Sequence, residues 1–196
     1  MRGSTRTTAA VRAATASTTT TGSRARWRSR EATSTTTRLS TTTTAVEYYH
    51  AGFGHYFTTA QADEITGLDG GAYGGVWTRT GYTFGVWTSG SGLYDVCRFF
   101  QVYFAPRSSH VYTPFDFECA DLILNSFVWQ YEKIAYKVKL PSAGVCPAGS
   151  FQLYRLYNNG MSGAPNHRYT TSLTVRSQMI AAGWAPEDTN TACVPY

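Results

Sequence analysis

One short pattern recurs three times in this sequence: His55-Tyr56-Phe57-Thr58, His110-Val111-Tyr112-Thr113 and His167-Arg168-Tyr169-Thr170, at spacings of 55 and 57 residues. A period of that size identifies a supersecondary unit used repeatedly, and it limits the folds open to the chain. A short apolar run lies upstream of each copy, at Val46 to His50, Val96 to Phe100 and Leu153 to Tyr157. Each run, and each motif after it, reads as a strand. A tryptophan follows each motif, Trp77, Trp129 or Trp184; Glu132 and Glu187 stand three residues after the second and third, and Thr80 after the first. The expected class is α+β, with three pseudo-equivalent strand-strand-helix-strand repeats over about 46–92, 93–145 and 146–196. These are expected to close around a threefold axis in a trefoil-like arrangement.

The stretch between motif and tryptophan carries helix signals. Thr113, Pro114 and Asp116 supply an N-cap, a proline at the first helical position and an acid at the third. Thr58 has Gln61 at the same offset, and Gly183 stands where a left-handed C-terminal cap belongs after Val175, Met179 and Ala182. Thr58, Thr113 and Thr170 are therefore expected to cap helices, and His55, His110 and His167 to donate the hydrogen bond that fixes each hairpin. The hairpin loops differ in length, Ala51 to Gly54 against Gln101 to Ser109 and Asn158 to Asn166, as an exposed, variable face would.

The formal charge of +5 has two origins. Eight arginines and a single acid, Glu31, give residues 1–45 a charge of +7, leaving 46–196 at −2. Thr, Ser, Arg and Ala fill 38 of those first 45 positions, so that segment cannot bury enough apolar surface to offset its chain entropy. It reads as a disordered tail or linker, with no signal-peptide pattern. Scattered arginines with only Trp27 to stack make a poor nucleic-acid arm, so no nucleic-acid partner is expected. No apolar run approaches the roughly 18 residues of a membrane span.

Cys97, Cys119, Cys146 and Cys193 form no Cys-x-x-Cys pair, which favours disulfides in an oxidising compartment over a thiolate zinc site. Three pairings are open, four reduced cysteines being the alternative; pairing within repeats would join Cys97 to Cys119 and Cys146 to Cys193. No phosphate loop or nucleophile elbow is present, and no cofactor is expected: Gly70 to Gly75 lacks the Lys-Ser/Thr that follows a phosphate loop. His50 and His55 with Glu47 or Asp63 would be the only metal set to consider, and nothing in the other repeats matches it, so no metal site is expected.

The stretches VEYYHAGFGHYFTTAQADEI, VCRFF with SSHVYTPFDFECA, VWQYEKIAY, and CPAGSFQLYRLYNNG with NHRYTTS resemble a bacterial domain of unknown function. That family carries tandem His-Phe/Tyr-Thr repeats and is typically appended near the C-terminus of secreted proteins. The resemblance covers about 46–196 and implies a secreted, extracellular or cell-surface module without supplying an activity. It departs at the third helix, where Val175 and Arg176 replace the acid present as Glu64 and Glu118.

Three functions follow. The first is a non-catalytic extracellular module binding glycan or cell-wall material through His55, His110, His167, Arg98 and Arg155, beside aromatic faces that pack on sugars. The second is a purely structural C-terminal module serving the neighbouring domains of a larger secreted protein. The third and weakest is a hydrolase, since no residue pattern supplies a catalytic group.

Overall fold

The computed structural model describes residues 39–107, 109–188 and 192–196. Its strands form two antiparallel sheets rather than a closed threefold arrangement. Strands β1 (Thr41–His50), β2 (His55–Thr59), β3 (Trp77–Ser89), β4 (Tyr94–Gln101), β5 (His110–Thr113) and β6 (Trp129–Val138) make a six-stranded sheet ordered β2-β1-β3-β6-β4-β5. Strands β7 (Ser150–Tyr157), β8 (His167–Thr170) and β10 (Ala192–Pro195) form the second sheet, with the two-residue β9 (Ala185–Pro186) also on β7. Helices α1 (Ala62–Asp69), α2 (Asp116–Leu124) and α3 (Leu173–Ala181) follow β2, β5 and β8.

The local order strand, strand, helix, strand is therefore present in each expected repeat, and the α+β trefoil is not. Its physical reason lies in the fourth strands. In the first segment β3 runs for 13 residues and meets β6 at Trp87 opposite Lys137, which fuses the first two segments into one sheet. In the third, β9 is only two residues long and pairs with β7 alone. The second sheet instead touches the end of β6 through the Lys139 and Cys193 bridge.

The second half of β3 finds its partner in the threonines assigned to the tail. Thr41 to Ala45 pair with Ser89 to Phe84, and Ala45 is fully buried. The expected disorder up to residue 45 is thus corrected at its C-terminal end, while its remainder up to residue 38 lies outside the described residues. β-branched threonine suits an extended chain once a neighbouring strand supplies the ladder.

The main core draws on both sheets: Ala45, Val86, Val96, Tyr112 and Val138 from one pack with Leu153, Tyr169 and Val194 from the other. Each helix then seals a smaller cluster on its own strands. Leu68 of α1 meets Val46 and Tyr48, Leu122 of α2 meets Phe99 and Val111, and Val175 and Met179 of α3 meet Leu156 and Trp184. Cys97 is bonded to Cys119 and Cys146 to Cys193, which fastens β4 to α2 and the segment before β7 to β10.

Candidate functional site

The threonines and histidines fall into a register that the sequence pattern missed by one position. Thr113 accepts the amide of Phe115 and Thr170 that of Ser172, each at 3.1 Å; in the first segment Thr59, not Thr58, does this for Gln61 at 3.0 Å. These hydroxyls tie the chain two residues on, while the N-cap positions are Gln61, Phe115 and Ser172. Only Ser172 caps with its side chain, accepting the amide of Val175, so the expected threonine caps are corrected. At the C-terminus of α3, Gly183 holds the expected left-handed conformation, φ 94°.

The histidines diverge in the same way. Nε2 of His110 lies 3.2 Å from Glu132, and Nε2 of His167 lies 3.3 Å from Glu187. Both imidazoles therefore lie against a carboxylate of the segment after the tryptophan. His55 occupies a different place, 1% exposed with its ring against Phe53. The first hairpin is fixed by His50, whose Nδ1 accepts the amide of Phe53 at 3.1 Å. The third is organised by Asn158 and Asn166, both buried, which hold the ends of a nine-residue loop that is exposed at Asn159, Gly160, Met161 and Gly163.

Three ion-pair networks join the segments. Arg98 of β4 holds Glu64 of α1 with both terminal nitrogens at 2.7 Å and Glu132 of β6 with Nε at 2.6 Å. Arg155 of β7 holds Glu118 of α2 and lies 2.8 Å from Glu187. In the third, Arg168 of β8 binds Glu47 of β1 through two nitrogens, with Thr80 donating to the same carboxylate. The charges there are reversed along the chain, and this explains why α3 carries Val175 where the other helices carry an acid. Buried ions survive only when paired in this way, and each guanidinium has at least one carboxylate against it, with Arg168 also donating to Met179 Sδ.

The first network opens into a cavity of about 770 Å³ between α1, β3 and the β4-β5-β6 strands. Its floor is Glu64, Arg98, His110 and Glu132; its walls are Phe53, Phe57, Trp77 and Phe100, with Asp63 and Tyr73 among its lining residues. Tyr73 is 81% exposed and sits in the left-handed region at φ 56°. That conformation costs a bulky L-residue roughly 1 kcal/mol, with no buried packing to offset it. Gly71, Gly74 and Gly75 beside it also have positive φ, so this turn holds the ring out at the rim.

Electrostatics favour the ionised form of both floor carboxylates. Burial raises the Glu64 carboxyl, but hydrogen bonds from Arg98, Lys133 and Thr59 outweigh it and bring the pKa down to about 2. Glu132 is likewise burdened by burial and brought below the ordinary carboxylate value by His110 and Arg98. Behind the floor, burial raises the phenols of Tyr112, Tyr136 and Tyr169, which stay protonated. The floor is thus two carboxylates already committed to one arginine.

Of the five residues expected to bind ligand, the fold brings Arg98 and His110 into this cavity and leaves His55, His167 and Arg155 out of its lining. Arg155 is 3% exposed and ion-paired to two glutamates. Asp63, Tyr73 and Trp77 were not singled out as ligand groups; the glycine-rich turn around Tyr73 was the available signal. The combination of His50, His55, Glu47 and Asp63 does not assemble, and among the described residues no group of three or more His, Cys, Asp or Glu could hold a metal.

The model of a family described as a domain of unknown function, DUF5648, matches residues 13–139 and 44–194. The chain belongs to this family. The second match runs from within β1 of this DUF5648 domain to β10 and contains the whole cavity; the first reaches back to residue 13. No curated protein and no solved structure matches the DUF5648 domain.

Proposed function

We propose that this chain is a non-catalytic extracellular module that binds carbohydrate in the cavity between α1 and the β4-β5-β6 strands. The observation that carries the reading is the pairing of aromatic walls, Phe53, Trp77, Phe100 and the rim residue Tyr73, with a rigid polar floor. Aromatic faces take the apolar side of a sugar ring, and fixed carboxylates and imidazole meet its hydroxyls. The two disulfides support an oxidising, extracellular setting, and no helix among the described residues is long and apolar enough to cross a membrane.

Two observations support binding over catalysis. A glycosidase needs one carboxyl protonated as the acid, whereas Glu64 is held below its ordinary pKa by Arg98 and Lys133, and Glu132 by His110 and Arg98. The His110 and Glu132 pair has the geometry of His167 and Glu187, which the fold uses to seat a buried arginine. A glycan array and a cell-wall pulldown with the full chain test the reading. Binding is expected, and Trp77→Ala is expected to lose it; no signal above that variant overturns it. The structural reading instead predicts that deleting the module from a longer secreted protein lowers its secretion and leaves glycan binding unchanged.

A further inference from the structure

We propose that the cavity selects sugars carrying a protonated amine, with Asp63 as the residue that reads the charge. This rests on the carbohydrate reading and adds a ligand class to it. The argument begins with which charges are already spent. Arg98 gives its nitrogens to Glu64 and Glu132, and Lys133 adds a third bond to Glu64 at 2.8 Å. Those two cations balance those two carboxylates. Asp63, in the first turn of α1, is exposed, lines the same cavity and has no ion-pair or hydrogen-bond partner among the described residues.

A ligand entering the cavity therefore meets one uncommitted negative charge and no uncommitted lysine or arginine in the lining. Sugars bearing carboxylate, sulfate or phosphate gain no partner there and face Asp63 as a like charge. An ammonium group gains Asp63, and the rings of Tyr73, Trp77 and Phe53 reinforce this, because the negative face of an aromatic ring attracts a cation. The same rings accept the apolar face of the sugar that carries the amine. A hydroxylated ring with a free amine can engage both the aromatic faces and Asp63, whereas its N-acetylated counterpart leaves the charge of Asp63 without a partner.

The test is an array of matched pairs of free-amine and N-acetylated oligosaccharides in several linkages, probed with the full chain at low and high salt. The free-amine member of a pair is expected to bind about fivefold tighter at low salt, with the margin shrinking as salt screens the exposed carboxylate. Asp63→Asn should erase that margin; because Asp63 is exposed and its carboxylate is unpaired, the variant keeps the fold, which circular dichroism verifies. Comparing the two proteins removes any contribution from the arginine-rich N-terminal segment, which both carry. If both members of each pair bind equally, or if Asp63→Asn keeps the margin, the amine inference fails while the carbohydrate reading stands. If nothing binds, the carbohydrate reading fails and takes this inference with it.

Discussion

Glu64 shows how one side chain serves both the fold and the cavity. It joins α1 to β4 through Arg98, whose side chain is 4% exposed, and it forms part of the cavity floor. Replacing it with Gln keeps the shape but leaves a buried guanidinium short of charge, which is expected to cost about 2 kcal/mol in a urea titration. The acid dependence follows from the same pairing. The folded-state pKa of about 2 lies below the unfolded value of 4.5, so this stabilisation is complete above about pH 4.5 and is lost as pH falls toward 2. Wild type should therefore lose more stability over that window than Glu64→Gln; parallel urea midpoints for the two proteins would refute the assignment. Residue identity could be read from the sequence here, but the partner could not. Glu64 and Arg98 are 34 positions apart, on α1 and β4, and no local pattern connects them.

At the scale of elements, the strands and helices were largely legible because hydrophobic alternation and turn chemistry act over a few residues. Local cues failed where a neighbour decided the outcome. Thr41 to Thr44 looked too polar to fold, and β3 recruited them into β1. The third helix shows the reverse case, since Val175 is 2% exposed among Leu156, Met179 and Trp184, and the nearby Arg168 is already taken by Glu47. Val175→Glu would restore the acid of the other helices yet bury a carboxylate without a free cation. It is expected to destabilise by about 3 kcal/mol or more, measured by thermal or urea unfolding. The Cys97 to Cys119 bond ties β4 to α2 across 22 residues of chain. Its removal in Cys97→Ser/Cys119→Ser is expected to cost about 3 kcal/mol, again read from the urea midpoint.

Across the whole molecule, the shared core makes the two sheets interdependent. Tyr169 of β8 donates its hydroxyl proton to the carbonyl of Tyr112 in β5 at 3.1 Å and accepts that residue's amide at 2.8 Å, while Tyr112 bonds the carbonyl of Thr58 in β2. One chain of phenols thus links all three segments through the interior. Unfolding of the described domain is expected to be a single cooperative transition, with near- and far-ultraviolet circular dichroism superimposing; separate transitions would show that the sheets fold independently. The repeated motif with which the sequence is punctuated determined, by itself, that strand, strand, helix and strand would succeed one another, because those choices depend on neighbours a few residues away. Tertiary structure alone decided that the pieces form two sheets, that the register of the first motif slips by one, and that a cavity opens at the first junction. Those outcomes depend on contacts between residues tens of positions apart, such as Trp87 with Lys137 and Arg168 with Glu47, whose energies a local pattern does not encode.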